Sequence, residues 1–200
     1  MPERYLIFCG DSHTVGAGDP RALGWTGRVA AASIAAGVPV TPYNLGVRGQ
    51  TSVEVAARWR AEAAPRLPDD GSDSRAVFAF GVNDVSLREG ELRCSREESL
   101  RALRSALDGA GELGTRPFLV GPAAVDEEAA NKRIVALSAA FEELCEERRV
   151  PFAPLAEELR RSHVWRQEVA AGDGAHPGAG GYEEIARLVL AAGWLDWLRS

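Results

Sequence analysis

Residues 5–12 of the chain read YLIFCGDS: five apolar side chains in a row, followed by a glycine, an acid and a serine. A short apolar run that ends at turn residues is typical of a β-strand buried on both faces. Similar runs recur along the chain and predict further strands. These lie at residues 41–45, 76–80, 117–120 and 150–153.

Helical patterns lie between these predicted strands. Apolar residues recur at three- and four-residue spacing over residues 100–110, 134–145 and 185–192, and more weakly over 24–36 and 52–64. Strands that alternate with helices indicate a parallel sheet whose right-handed crossovers place helices on both faces. The sequence therefore predicts a three-layer α/β/α fold with a five-stranded parallel sheet, formed by residues 1–200 as a single domain.

The polar, turn-rich stretch at residues 65–74 resembles an interdomain linker in composition. We interpret it as a surface loop that enters the third strand, because the alternation of helix and strand continues unchanged beyond it. No internal repeat is visible.

Charge and composition exclude several classes of function. The formal net charge of −6 makes nucleic acid an unfavourable partner. The three cysteines, Cys9, Cys94 and Cys145, show no metal or redox spacing, so we expect buried or half-buried thiols in a reducing compartment. Residues 1–4 lead directly into the first strand without a signal-peptide pattern, and no apolar run approaches the ~18 residues of a membrane span. We therefore expect a cytoplasmic protein.

Chemistry is expected in the loops that follow the strands, since open parallel sheets bind ligands at their carboxyl edge. The first such loop, residues 10–18, contains three glycines, but no lysine follows Gly16 and Arg21 stands where a dinucleotide fingerprint needs glycine. What remains is Ser12 at a strand-to-helix turn, where its hydroxyl could enter the cleft. Ser12 could equally serve only as a helix N-cap.

Three further loops carry chemically useful groups. A glycine-containing loop at residues 44–52 can bring a backbone N–H close to a ligand, and Asn83 offers an uncharged amide donor. Asp173 precedes His176 by three residues, so its carboxylate can reach the imidazole Nδ1–H, fix the tautomer and stabilise the imidazolium. Each loop taken alone is also explained as an ordinary turn.

Together these loops supply every group needed for acyl transfer: a nucleophile, a base, an acid that orients the base, and neutral oxyanion donors. All the strand loops lie at one edge of the predicted sheet. The sequence thus predicts Ser12 as nucleophile, His176 as base and Asp173 as its acidic partner.

These blocks, in this order, resemble the GDSL/SGNH hydrolase family over residues 10–177. The resemblance implies a flavodoxin-like strand order of 2-1-3-4-5. It also implies an oxyanion hole formed by the backbone N–H groups of Ser12 and Gly49 and by the Asn83 side chain, with Gly46 as the alternative to Gly49. The matching blocks are Gly10-Asp11-Ser12, residues 44–51, Gly81-Val82-Asn83-Asp84, and residues 173–176.

Two positions depart from the family pattern. His13 stands where the family often has leucine, which places a second imidazole beside Ser12. We assign the base to His176, because only it has an acid at the family spacing. Val82 stands before Asn83 in place of a small residue and could narrow the cleft.

The resemblance implies a serine esterase that needs no metal or organic cofactor and acts on a small-molecule acyl ester. The family also accepts thioesters, lysophospholipids and O-acetylated sugars. Residues 85–93 and 122–132 are expected to line the substrate cleft, and the absence of an apolar lid favours small or short-chain esters. Two alternatives stay open: an acyltransferase or deacetylase acting on a sugar or secondary metabolite, and a binding module with a vestigial triad. The sequence does not predict an oligomeric state.

Overall fold

The computed structural model describes residues 3–68 and 70–200. Met1, Pro2 and Asp69 lie outside the described residues, so the expectations for residues 1–4 and for the polar stretch at 65–74 are described only in part. The strands are β1 (Arg4–Gly10), β2 (Val40–Gly46), β3 (Ser74–Ala79), β4 (Leu87–Arg88), β5 (Glu91–Leu92), β6 (Arg116–Val120) and β7 (Phe152–Ala153).

Five of these strands form a parallel sheet in the order β2-β1-β3-β6-β7. Counted among the sheet strands alone, this is the predicted 2-1-3-4-5 order, and the prediction is confirmed. The numbering differs because β4 and β5 form a small antiparallel hairpin of their own, which the sequence analysis did not predict.

The register of the three central strands aligns their carboxyl ends. Gly10 at the end of β1 pairs with Gly46 of β2 on one side and with Ala79 of β3 on the other. The three loops that follow therefore leave the sheet side by side.

Nine helices lie within the described residues. Helices α2, α3, α4, α5 and α8 match the predicted segments, whereas α1, α6 and α9 have only four to six residues and are too short to show helical periodicity. The bounds are α1 (Ser12–Val15), α2 (Gly24–Ala35), α3 (Ser52–Ala63), α4 (Arg96–Glu112), α5 (Glu128–Arg148), α6 (Ala156–Arg161), α7 (His163–Ala171), α8 (Ala179–Ala191) and α9 (Trp194–Arg199), with a 3-10 turn at Ala64–Arg66.

Successive side chains of a strand point to opposite faces of the sheet, so the hydrophobic core consists of two parts, one on each face. Leu6 and Phe8 of β1 face a core built with α2, α7, α8 and α9, while Ile7 and Cys9 face a second core built with α3, α4 and α5. This is the three-layer arrangement that the alternating pattern predicted. The three cysteines are buried and unpaired, as expected.

Among the described residues no helix combines the length and the apolar character that crossing a membrane requires.

Candidate active site

Ser12 is the first residue of α1, directly after β1, and its side chain is buried at the carboxyl edge of the sheet. Asp11, not Ser12, is the N-cap of this short helix: its Oδ1 accepts a hydrogen bond from the backbone N–H of His13 at 3.0 Å. Capping therefore does not occupy the Ser12 hydroxyl, and the alternative role of Ser12 as an N-cap is wrong.

The Ser12 hydroxyl is instead hydrogen-bonded to His176. The distance from Ser12 Oγ to His176 Nε2 is 2.7 Å, and His176 Nδ1 lies 2.7 Å from Asp173 Oδ2. The structure thus brings together the three residues that the sequence analysis selected, although Ser12 and His176 are 164 positions apart.

The Asp173 carboxylate is strongly hydrogen-bonded. It accepts the backbone N–H groups of Ala175 at 3.0 Å and His176 at 2.9 Å in addition to the His176 ring. Burial acts to raise the pKa of this carboxyl, but the hydrogen bonds from the His176 ring and from the two N–H groups outweigh it and hold the pKa well below its usual range. Asp173 therefore stays ionised beside the imidazole, as an acid that orients a base must.

The loop that carries His176 is held from several sides. The Asp126 N–H donates to the Gly174 carbonyl at 2.8 Å, and the Gly174 N–H donates to Val169 O at 3.1 Å. The Glu168 carboxylate accepts the N–H groups of Gly180 and Gly181 in the first turn of α8, just beyond the loop. These bonds limit how far the imidazole can move from Ser12.

Asn83 joins the two loops that carry the other expected oxyanion donors. Its Nδ2 donates to the Gln50 carbonyl at 2.9 Å and lies 3.3 Å from Asp11 Oδ2. Gln50 follows Gly49 and Asp11 precedes Ser12, so the amide sits between the neighbours of both donors.

The two candidate glycines differ in what their N–H groups do. The Gly46 N–H donates to Asn44 Oδ1 at 2.9 Å, and the residue is packed tightly against the α1 backbone. Gly49 is exposed with a φ of 76°, and within the described part of the chain its N–H has no hydrogen-bonded acceptor. The geometry leaves Gly49, and not Gly46, free to donate.

The hydrogen bond of the His13 ring goes to the loop that carries His176 and not to Ser12. The His13 Nε2 lies 2.9 Å from the Ala175 carbonyl, which can only accept, so Nε2 carries the proton. Its Nδ1 is buried 3.8 Å from Asp11 Oδ1 and has no hydrogen-bond partner among residues 3–68 and 70–200. Burial, reinforced by the nearby His176, lowers the pKa of His13 to about 4. His13 is thus a neutral donor to the loop that carries His176, and the geometry of a base belongs to His176.

Two side chains to which the sequence analysis gave no role, Arg58 and Asp84, make hydrogen bonds at the carboxyl edge of the sheet. The Arg58 guanidinium of α3 donates to the Gly10 carbonyl at 3.1 Å and the Leu45 carbonyl at 2.8 Å, at the ends of β1 and β2. Buried Asp84 accepts the Ser52 N–H at 2.7 Å and the Ser52 hydroxyl at 2.5 Å. In the sequence Arg58 shows only an ordinary pairing with Glu62 four residues on, so no local signal indicated these contacts.

Two depressions flank the triad. One of about 540 Å³ has Asn83 in its wall together with Val82, Leu87 and Ile134, and both loops expected to line the cleft contribute to it. The other, of about 430 Å³, is lined by His176, Asp173 and residues of the β2–α3 and α7–α8 loops. Within the described ranges no group of three or more His, Cys, Asp or Glu side chains could hold a metal ion.

A parallel α/β sheet that carries a serine, a histidine and a carboxylate in one hydrogen-bonded chain has the arrangement of a serine hydrolase. The chain belongs to the GDSL-like Lipase/Acylhydrolase family, whose model matches residues 8–184. The protein is therefore an ester hydrolase of the esterase or acylhydrolase type, and the resemblance seen in the sequence is confirmed.

Three solved structures that this chain resembles each share under a quarter of their residues with it. A lipase/acylhydrolase from Enterococcus faecalis is 23% identical, with a TM-score of 0.72 and 95% of each chain covered. A catalytic mutant of an acetylxylan esterase from Geobacillus stearothermophilus is 21% identical, with a TM-score of 0.73, and the match covers 100% of this chain and 97% of that one. TesA is 21% identical, with a TM-score of 0.76 and coverage of 95% and 97%. No curated protein sequence matches the chain.

Proposed function

We propose that the protein hydrolyses small or short-chain carboxylic esters through an acyl-enzyme formed on Ser12, with His176 as base and Asp173 as its acidic partner. The observation that carries this proposal is the continuous chain of 2.7 Å contacts from Ser12 Oγ through the His176 ring to Asp173. An ionised Asp173 keeps the proton on Nδ1, which leaves Nε2 free to accept the serine proton.

In the first step His176 Nε2 takes the proton of Ser12 as Oγ bonds to the ester carbonyl carbon. The oxyanion that forms is bound by the backbone N–H groups of Ser12 and Gly49 and by the Asn83 amide. His176 then returns its proton to the alcohol oxygen as the ester C–O bond breaks. Water, deprotonated by the same His176, then attacks the acyl carbon. The bond from that carbon to Ser12 Oγ breaks, and His176 returns its proton to Oγ as the acid is released.

Asn83 can serve this role without breaking both of its present bonds. Its contact with Asp11 at 3.3 Å is longer than its 2.9 Å bond to Gln50 and therefore weaker. The N–H directed towards Asp11 is the one that turns to the oxyanion, while the bond to Gln50 keeps the amide in place.

The two depressions suggest where the parts of the ester lie. The depression of about 540 Å³ adjoins the Asn83 amide and carries apolar side chains, so it suits the acyl group. The alcohol lies in the other depression, because His176, which must protonate the departing oxygen, lines that side. The Geobacillus neighbour is described as an acetylxylan esterase, which is in keeping with a short acyl group.

Covalent labelling tests the nucleophile. A fluorophosphonate should label the wild-type protein at Ser12, and Ser12→Ala should abolish both labelling and turnover of aryl esters. The matched control is Ser105→Ala, which removes an exposed hydroxyl on α4 and should leave both intact. Labelling at another serine, or undiminished turnover by Ser12→Ala, contradicts the assignment.

A series of aryl esters of increasing acyl length tests the substrate. We expect kcat/KM to be highest for the acetyl to butyryl esters and to fall for longer chains. A steady rise towards long acyl chains would contradict the preference for short ones.

A further inference from the structure

Arg48 lies between Gly46 and Gly49 in the loop that follows β2, and its side chain lines the depression of about 430 Å³ beside His176. It is exposed, and among the described residues no carboxylate lies within ion-pair distance of it. The rim of the site therefore has a positive charge that is not paired with a carboxylate in the described part of the chain.

The acids of this depression do not neutralise Arg48, because other donors already engage them. Asp173 is bound to the His176 ring and to two backbone N–H groups. The Glu168 carboxylate accepts the N–H groups of Gly180 and Gly181, at 3.1 Å and 2.6 Å.

Two nearby arginines, Arg58 and Arg93, have structural partners. Arg58 binds the carbonyls at the ends of β1 and β2, and Arg93 donates to the Gly49 carbonyl at 2.7 Å and approaches Glu54 at 3.3 Å. Arg48 differs from both in being free to meet a ligand.

The charge of Arg48 also acts on the interior of the site. Burial raises the pKa of the Tyr182 hydroxyl, the charges of nearby acids including Asp11 raise it further, and the positive charge of Arg48 acts in the opposite direction. Tyr182 donates to the Ala17 carbonyl at 2.7 Å, just behind the nucleophile helix. Arg48 and His176 line the same depression, so the charge lies on the same side of the site as the base.

We propose that Arg48 selects esters whose alcohol part carries an anionic group, a carboxylate or a phosphate, by binding that group in the depression beside His176. This inference rests on the proposed function, since it takes the alcohol to lie on the side from which His176 protonates it. A guanidinium suits this ligand, because its planar array of donors matches two oxygens of a carboxylate or phosphate at once.

The protein as a whole is acidic, which makes a local positive charge important for binding an anion. A formal net charge of −6 repels anions, so an anionic ester gains access only where a local cation outweighs that field. Exposed charges act over about 8–10 Å at moderate salt, and Arg48 lines the same depression as His176.

A charge series of acetate esters tests the proposal. The substrates are meta-acetoxybenzoate, meta-acetoxyphenyl phosphate and the neutral meta-acetoxybenzamide, which all give the same acetyl-enzyme, so their differences report acylation alone. The readout is the ratio of kcat/KM for each anionic ester to that for the neutral ester, measured in each variant. The intrinsic reactivities of the esters are the same for every variant, so they cancel when this ratio is compared between variants.

Arg48→Gln should lower this ratio roughly fivefold, the size expected for a contact between partly exposed charges. Arg48→Lys should keep part of the preference, because it retains the charge but not the planar donors. Raising the salt to about 0.5 M should reduce the ratio in the wild type but not in Arg48→Gln. A drop with the carboxylate ester alone, or with the phosphate ester alone, identifies which anion the site takes.

The matched control is Arg104→Gln, which changes net charge equally by removing an exposed arginine on α4 and should leave the ratio at its wild-type value. Equal ratios in the wild type and Arg48→Gln would overturn the proposed role of Arg48, and so would a fall in Arg104→Gln as large as that in Arg48→Gln. In either case, hydrolysis of the neutral ester would still support the proposed function. A wild-type protein that hydrolyses none of the esters and is not labelled at Ser12 overturns both.

Discussion

Two imidazoles lie side by side at the nucleophile, with ring centroids 5.2 Å apart. What separates them is the atom that each nitrogen faces. His176 faces the Ser12 hydroxyl and the Asp173 carboxylate. It can therefore accept the serine proton while the carboxylate holds the imidazole in place. His13 faces a carbonyl, and its buried ring is held neutral. Side-chain direction, more than proximity along the chain to Ser12, therefore decides which imidazole can act as base.

This distinction predicts an order of activity among three variants. His176→Ala should lose most of the kcat/KM for an aryl ester. Asp173→Asn should fall between the wild type and His176→Ala, because an amide can favour the wrong tautomer. His13→Leu loses one neutral hydrogen bond, worth about 1 kcal/mol, and should stay within roughly fivefold of the wild type.

Thermal melts show whether each of these variants is folded. A folded His13→Leu variant as inactive as His176→Ala would show that the base assignment is wrong.

Asn83 offers a second prediction for a single side chain. Asn83→Ala removes a donor directed at charge that develops only in the transition state, so kcat should fall by roughly 10²–10³. KM should change far less, since the ground-state carbonyl carries little of that charge. Steady-state kinetics on one aryl ester separates the two parameters, and a normal kcat with a raised KM would place Asn83 in ground-state binding.

The loop after α1 and the loop that carries His176 approach each other closely at Gly18. Gly18, in the loop after α1, has a φ of 89° and lies against the segment that carries His176. A Cβ added there would stand 2.8 Å from the Pro177 carbonyl oxygen and 3.3 Å from the His176 Cβ. Glycine at this position lets the nucleophile loop and the histidine loop touch.

Gly18→Ala should consequently impair catalysis beyond its effect on stability. The left-handed backbone costs an alanine roughly 1–2 kcal/mol, and the added collision displaces His176. A displacement near 1 Å can lower the rate roughly 10²-fold, so we expect a clear fall in kcat/KM on an aryl ester.

Gly37→Ala is the control for backbone strain alone. Gly37 has a φ of 78°, and a Cβ there meets nothing within 4 Å. It should lose comparable stability without loss of activity. Equal kinetic effects in the two variants would remove the contact with His176 as the cause.

At the scale of the whole molecule, two buried groups under the nucleophile respond to pH in opposite directions. Burial lowers the pKa of His13 from 6.5 to about 4, so between these values the unfolded chain binds a proton that the folded protein does not. Burial, with a smaller contribution from Asp84, raises the pKa of Asp11 from 3.8 to about 7. Between these two pH values the folded protein therefore binds a proton that the unfolded chain does not. Acidification thus favours unfolding through His13 and folding through Asp11.

A comparison with His13→Leu isolates the first effect. As the pH falls from 6.5 to 4, the free energy of unfolding of the wild type should drop relative to that of His13→Leu, by on the order of 3 kcal/mol. Urea unfolding at several pH values measures it, with His163→Leu, which removes an imidazole from the surface, as the control. Parallel pH profiles for the wild type and His13→Leu would contradict a buried, neutral His13.

Local pattern was sufficient for the sheet strands, for the longer helices and for the pairing of Asp173 with His176. Apolar runs and helical spacing reflect contacts within one turn or one strand, and a three-residue separation places a carboxylate beside an imidazole in a tight turn. The strand order and the oxyanion set came from the family resemblance. Short elements such as α1 and the β4–β5 hairpin carry too few residues to show a period, so they were missed.

The remaining features depend on contacts between distant parts of the chain. Ser12 meets His176 across 164 positions because the sheet register brings Gly10, Gly46 and Ala79 level and the loops emerge together. That arrangement also determines three other features. They are the hydrogen bond from His13 to Ala175, the unbonded N–H of Gly49, and the bonds from Arg58 to the carbonyls at the ends of β1 and β2. Their partners are mostly backbone groups, which every residue type has, so no pattern of side chains along the sequence could reveal them.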